Sequence, residues 1–274
     1  MSTVPTITLD NGVEIPQLGL GVWQIEDKTV TGVVESAFEA GYRHVDTAAV
    51  YGNEEGVGRA IAAAGLPREE LFITTKVWTS DQGYDSTLKA FDASLARLGL
   101  DHVDLYLIHW QALKTDKYVD TWKAFEQLYA DKRVRAIGVS NFHIPALQRI
   151  FDETDVRPTV NQIELHPALP QDELRAFNAE NDIVTQAWSP LASGELLGNA
   201  TLAKLGEKYG KSPAQVVIRW HLQLGNVVIP KSQTPSRITE NIDVFDFKLD
   251  NEDMAAIADL ETGVRTGGDP DTFG

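Results

Sequence analysis

Eight times along this chain a short apolar run gives way to a stretch with helical spacing. The apolar runs are Leu18–Val22, His44–Asp46, Leu71–Val77, Val103–His109, Val134–Ser140, Thr159–Glu164, Ile183–Trp188 and Val227–Ile229. Leu71–Val77 is continuous and rich in β-branched residues, as a strand covered on both faces requires. The helical stretches are Lys28–Ala40, Glu54–Ala64, Ser86–Leu98, Val119–Ala130, Pro145–Thr154, Gln171–Asn181, the pair Ala200–Tyr209 and Pro213–Leu224, and Pro235–Asn241. Gly41, Gly65 and Gly99 stand where three of these helices must stop. Strict alternation predicts a parallel sheet, because parallel neighbours need a crossover between them. Eight units in a chain of 274 residues is the size of an α/β fold of the (β/α)8 TIM-barrel type. An open doubly wound sheet is the alternative, but eight near-equal units show no point at which strand order would reverse. Ahead of the first unit, Thr6–Leu9 and Val13–Ile15 flank Asp10-Asn11-Gly12, the strongest short signal for a β-hairpin. This predicts a small lid over one end of the barrel. Asn251–Leu260 reads as one more amphipathic helix, and Thr262–Gly274 as loop. Nothing in the composition marks a linker, so residues 1–274 are expected to form a single domain.

The chemistry of a barrel sits at the C-terminal ends of its strands. There the alternation places Asp46, Lys76, His109, Ser140, Asn141, Gln162, Glu164, Trp188 and Lys231, with Tyr51 on the loop after Asp46. A free tyrosine has a pKa near ~10 and is a poor acid at neutral pH. A nearby ammonium favours the phenolate. Lys76 offers that ammonium, Asp46 a partner to hold it, and His109 a hydrogen bond for a substrate oxygen. The set suits protonation of a developing alkoxide, with Tyr51 as general acid. Reduction of a carbonyl also needs a hydride, which no side chain supplies, so a nicotinamide cofactor is expected. Each residue alone has an ordinary use, as a cap, a packing aromatic or a satisfied core histidine. Four together at one end of one barrel are what point to catalysis.

Charge narrows the partners. With 24 basic and 40 acidic residues the net charge is -16, which disfavours nucleic acid and anionic membranes. There is no cysteine, and so no disulfide, thiolate nucleophile or cysteine-ligated metal. No apolar run approaches membrane-spanning length and the N-terminus has no signal-peptide pattern, so a cytoplasmic setting is expected. Against this acidic background, Lys231 closing an apolar strand and Arg237 beside a helix start read as an anion site.

Gly41-Tyr42-Arg43-His44-Val45-Asp46-Thr47-Ala48 with Tyr51-Gly52-Asn53-Glu54 resembles a signature of the aldo-keto reductase family. Val103-Asp104-Leu105-Tyr106-Leu107-Ile108-His109-Trp110 resembles a second, and Ile229-Pro230-Lys231-Ser232 with Arg237, Glu240 and Asn241 its cofactor-binding signature. The likeness spans essentially the whole chain, and is strongest to the bacterial 2,5-diketo-D-gluconate reductase and prostaglandin F synthase-like branch. It implies that Asp46, Tyr51, Lys76 and His109 are the catalytic tetrad and that the cofactor is NADPH. It implies further that Ser140, Asn141 and Gln162 hold the nicotinamide carboxamide, and that Trp188 stacks on the ring, where many members carry Tyr. Ser189, Leu191 and Ser193 fall on the segment that crosses the pyrophosphate. Lys231, Ser232 and Arg237 fall on the 2′-phosphate, and Glu240 and Asn241 on the adenine. No usable glycine fingerprint of a Rossmann sheet is present, as a barrel-bound dinucleotide would lead one to expect.

Trp23, Trp78 and Trp110 follow barrel strands, and with Trp188 they predict an apolar-walled pocket. Ala48 falls near the substrate by the resemblance. Gln111 stands where Pro commonly follows the His-Trp pair, and the loop 189–198 and the tail past Leu260 are short. A fairly open pocket for small aldehydes, α-dicarbonyls or keto sugars is therefore expected, in a monomer. No resident metal is expected. Three competing readings have their own requirements. A Schiff-base aldolase would use a strand-end lysine but needs no tuned tyrosine and no phosphate site. A metal-dependent hydrolase would need His44, Asp46, His109 and His166 to converge at one centre. A non-catalytic NADPH-binding sensor or partner protein of the same fold would not need the tetrad, though such members can keep it.

Overall fold

The computed structural model describes residues 4–273. The predicted hairpin forms from β1 (Thr6–Thr8) and β2 (Glu14–Pro16), paired antiparallel with Thr6 opposite Pro16. Asn11 Oδ1 accepts from the Val13 amide and Gly12 sits at φ 82, the positive-φ turn the sequence predicted.

Eight parallel strands follow: β3 (Leu20–Gly21), β4 (His44–Asp46), β5 (Phe72–Val77), β6 (Val103–Ile108), β7 (Val134–Ser140), β8 (Val160–Glu164), β9 (Val184–Trp188) and β10 (Val227–Val228). Each pairs with its neighbour in chain order. Parallel bridges Leu18–Val228 and Gly21–Lys231 join the last strand to the first and close the ring. Two glycines permit this closure. A methyl on Gly21 would stand 2.9 Å from the Ile229 carbonyl, and one on Gly19 would stand 2.7 Å from the His44 ring. The fold is a (β/α)8 TIM barrel, as the alternation predicted.

Around the ring lie α1 (Asp27–Ala40), α2 (Glu54–Ala63), α3 (Tyr84–Leu98), α4 (Tyr118–Ala130), α5 (Ile144–Glu153), α6 (Asp172–Glu180), α7 (Ala200–Tyr209), α8 (Pro213–Gln223), α9 (Pro235–Ile242) and α10 (Asn251–Ala258). All ten were foreseen, with ends shifted by a residue or two as frayed helix termini usually are. Gly41 ends α1 in a left-handed conformation, φ 103, with its amide returned to the Ala37 and Phe38 carbonyls. Four short 3-10 turns among the described residues went unforeseen. One of them, Ala49–Tyr51, carries Tyr51, where the sequence predicts a loop.

The apolar core has two parts. The larger lies between the strands' outer faces and the helices. The smaller fills the barrel's floor: Phe72, Leu105, Leu107, Ala136, Val160 and Val227 meet Leu9 and Ile15 of the hairpin. The hairpin thus plugs the N-terminal end, as predicted. The opposite end carries the polar groups.

Candidate active site

Asp46 ends β4, Lys76 stands one residue before the end of β5, and His109 lies just past β6. Parallel pairing of these consecutive strands brings the three to one level of the barrel. Lys76 is fully buried and its ammonium has three partners: Asp46 Oδ1 at 2.5 Å, the Thr47 carbonyl at 3.0 Å and Tyr51 Oη at 3.4 Å. A buried ammonium is tolerated only when paired in this way. Its burial works against the charge, but Asp46 and Tyr51 together outweigh it and the Lys76 pKa is raised. The group is a fixed cation beside a phenol.

Tyr51 is half-buried, with its ring edge-on to His109 at 5.6 Å. Burial raises its pKa, and Lys76 pulls the other way without prevailing. The sequence predicts an ammonium that prevails. Desolvation of the phenolate is the larger effect here, so Tyr51 keeps its proton, which is the state a general acid needs. Burial, helped by Lys76, holds His109 well below the usual imidazole range. It is therefore neutral, and its Nδ1 is buried without a partner among the described residues.

The three residues expected at a carboxamide are brought together, already bonded to one another and to the tetrad. Gln162 Nε2 donates to Asp46 Oδ2 at 2.7 Å, and Ser140 Oγ to the Gln162 carbonyl at 2.9 Å. Asn141 Nδ2 donates to the His109 carbonyl at 3.0 Å. Asn141 holds φ 59, a left-handed backbone rare outside glycine and frequent at functional sites. Trp188 is half-buried and donates Nε1 to Asn141 Oδ1 at 2.8 Å. Beyond it, Ser189, Ala192 and Ser193 also hold positive φ, and Ser193 donates its amide to Ser189 Oγ. Leu191 packs half-buried against the core.

Lys231 and Arg237 are exposed, and neither is paired with a carboxylate among the described residues. They flank the start of α9, whose N-cap Thr234 makes no side-chain bond to it. Ser232 is buried and its Oγ accepts from the Thr234 amide. In so acidic a chain, two neighbouring free cations at a helix start are a fit for a phosphate. Glu240 has a structural partner: its carboxylate accepts from Ser212 Oγ at the start of α8. Asn241 is buried beside it.

Of the four substrate-side residues, Ala48 is buried directly after the β4 end. Trp78 sits edge-on to His109 at 5.1 Å, and Trp110 lies nearly parallel to His109 at 6.4 Å. Trp23 follows β3 at the rim. It is 53% exposed and joins none of these ring contacts. Phe273, unforeseen, takes a place in the wall. Its ring lies 4.4 Å from Trp110 and 6.3 Å from Trp78.

Phe273 arrives there because the tail is folded across the mouth. Gln111, the departure noted in sequence, is buried and donates to the Pro270 carbonyl at 2.9 Å and to Asp271 at 3.1 Å. His143 Nδ1 meets Asp271 at 2.8 Å. The tail thus adds Phe273 and its anchoring bonds to the mouth.

The residues a metal hydrolase would have used do not converge. His44 bonds Thr74 and the Pro16 carbonyl, and His166 bonds Glu164. Among the described residues only His143, Asp269 and Asp271 present three ligand atoms near one another, and Arg265 stands 3.4 Å from the same histidine.

A buried Lys–Asp pair under a tyrosine, a neutral histidine and free cations by a helix start form the pattern whose sequence signature was noted. Comparison with known proteins agrees along the whole length. The aldo/keto reductase family model matches residues 17–262. An aldo-keto reductase of Mycolicibacterium smegmatis is 57% identical, over 98% of each chain. A methylglyoxal reductase of Yersinia pestis is 53% identical over 100% of this chain and 99% of the relative. Among solved structures, a mutant of Gox0644 in complex with NADPH superposes with a TM-score of 0.96, at 47% identity and full coverage of both chains. Matched over nearly its entire length at such identities, the chain belongs to the aldo/keto reductase family.

Proposed function

We propose that this protein reduces small aldehydes and α-dicarbonyls to alcohols with NADPH, using Tyr51 as the proton donor. The observation that carries the reading is the buried Lys76 ammonium held between Asp46 and Tyr51. When bound, NADPH supplies the hydride. The Tyr51 hydroxyl gives its proton to the carbonyl oxygen as that oxygen gains charge. Lys76 then stabilises the phenolate left behind, and Asp46 keeps the ammonium in place. Neutral His109 orients the carbonyl oxygen beside Tyr51. Trp78, Trp110 and Phe273 exclude water from the reacting carbonyl.

For the cofactor, Trp188 is the ring platform, with Ser140, Asn141 and Gln162 at the carboxamide and Ser189, Leu191 and Ser193 along the pyrophosphate. Lys231, Ser232 and Arg237 hold the 2′-phosphate, with Glu240 and Asn241 at the adenine side. The likeness to a methylglyoxal reductase supports the α-dicarbonyl class. The aromatic walls support small apolar aldehydes beside it. A single-domain cytoplasmic monomer completes the reading. No helix among the described residues is long and apolar enough to cross a membrane. Among the described residues the ten α-helices expose one large apolar side chain, Tyr84 at the first position of α3, which supports the monomer.

The direct test follows NADPH absorbance on addition of methylglyoxal or a simple aromatic aldehyde, run in parallel with NADH. Steady oxidation of NADPH, faster than of NADH, is expected. Tight NADPH binding with no turnover across a broad carbonyl panel would replace the reading with that of a sensor. Arg237→Ala removes a charged hydrogen bond worth about 1.5–3 kcal/mol, so the NADPH Kd is expected to rise roughly 10- to 100-fold. The NADH Kd should hardly move. Equal losses for both cofactors would take Arg237 off the 2′-phosphate.

A further inference from the structure

We infer that the C-terminal tail is part of the cofactor site: Gly267, pinned by the buried Glu164, backs the Trp188 indole and holds it as the nicotinamide platform. The inference rests on the placement of Trp188 at the nicotinamide proposed above.

Glu164 ends β8 and is fully buried, yet it touches no member of the tetrad. Its carboxylate is turned to the tail. Oε1 accepts from the Thr266 amide at 2.5 Å and the Thr266 hydroxyl at 2.8 Å, and Oε2 from the Gly267 amide at 3.2 Å. His166 Nε2 lies 3.0 Å from Oε1, and the Arg265 guanidinium 3.8 Å from Oε2. Burial works against the charge, but His166 and Thr266 outweigh it and the carboxyl is held below its usual range. Charge-assisted bonds of this kind are among the stronger ones a protein makes. The tail is therefore anchored to the end of a barrel strand at residues 266–267.

The anchor sets Gly267 against the indole. A methyl on Gly267 would fall well inside contact distance of Trp188 Cη2, 2.9 Å from Cζ3 and 3.3 Å from Glu164 Oε2. Gly267 has no positive φ, so its backbone would accept any residue. Space beside the indole is what excludes a side chain. The other end of the ring is held by the bond from Nε1 to Asn141, and Trp110 stands edge-on at 6.4 Å. An indole fixed at its pyrrole end, its benzo end and one edge has little freedom left to lose when a second flat ring stacks on it. Pre-organisation of this kind appears as affinity. A tyrosine at 188 does not reach as far as an indole, so Trp188 and Gly267 form a matched pair.

The test measures the NADPH Kd by calorimetry for Gly267→Ala, Trp188→Tyr, the double variant and Glu164→Gln. Gly267→Ala is expected to raise Kd about tenfold by displacing the indole. In the Trp188→Tyr background the same alanine should change Kd less than about threefold, because the clash is gone. That rescue separates the pair from general damage to the fold. Glu164→Gln, which adds no bulk, should raise Kd in the same direction by loosening the anchor. Wild-type affinity in Gly267→Ala, or an undiminished loss in the double variant, overturns the inference. Trp188→Ala distinguishes the two ways to fail. If it weakens binding while Gly267→Ala does not, the tail's role falls and the platform stands. If neither weakens binding, the platform falls and the tail's role with it.

Discussion

Tyr51→Phe is expected to lower carbonyl reduction by two or more orders of magnitude while NADPH binding stays near wild type. The change removes one oxygen and leaves the ring, so its contacts with His109 and with the Lys76 ammonium 5.1 Å from the ring centre persist. What is lost is the proton that must reach the carbonyl oxygen, an effect of roughly 10²–10⁴ in rate. Steady-state kinetics with methylglyoxal, alongside an NADPH titration, read the two quantities separately. Turnover like that of the wild type would remove Tyr51 as the acid. A parallel loss of NADPH binding would mean that the hydroxyl acts on the cofactor rather than on the substrate.

Lys76→Met is expected to be worse, because it removes two things at once. The ammonium no longer stabilises the phenolate, so turnover should fall at least as far as in Tyr51→Phe. Asp46 also loses its partner inside the barrel, keeping only the Gln162 amide at 2.7 Å. Breaking one half of a buried pair costs about 3–5 kcal/mol, a Tm drop on the order of 10 °C for a chain of this size. Thermal unfolding checks this. The companion variant Lys76→Met with Asp46→Asn removes the stranded charge. It should recover most of the lost stability and none of the turnover. Recovery of turnover in the double variant would show that the pair serves stability alone.

The barrel was legible because its signal is periodic and local. Each strand and helix announces itself over about ten residues, and eight repeats leave one closed solution. Asp46, Lys76 and His109 were legible for the same reason, since consecutive parallel strands put their ends side by side. The tail was not. Thr262–Gly274 has no period, and its shape is set by partners far away in sequence. Glu164 is 103 residues from Gly267, and Gln111 is 159 from Pro270. Gln111 registered only as an oddity, and Phe273 did not register at all. Trp23 was legible only as a residue after a strand, because its exposure depends on the loop into α1. The balance at Tyr51 was out of reach because it pits burial against an ammonium, and burial is known only once the ring is placed.

The plugged floor has one more consequence. Leu9 and Ile15 close the end of the barrel that faces away from the chemistry, so the mouth serves solvent as well as substrate. Gln186, inside the ring on β9, has no protein partner for either end of its amide among the described residues. Tyr51, half-buried at that mouth, stands where cofactor and carbonyl would meet. A proton given up by Tyr51 is then to be replaced through the same mouth by which cofactor and carbonyl enter.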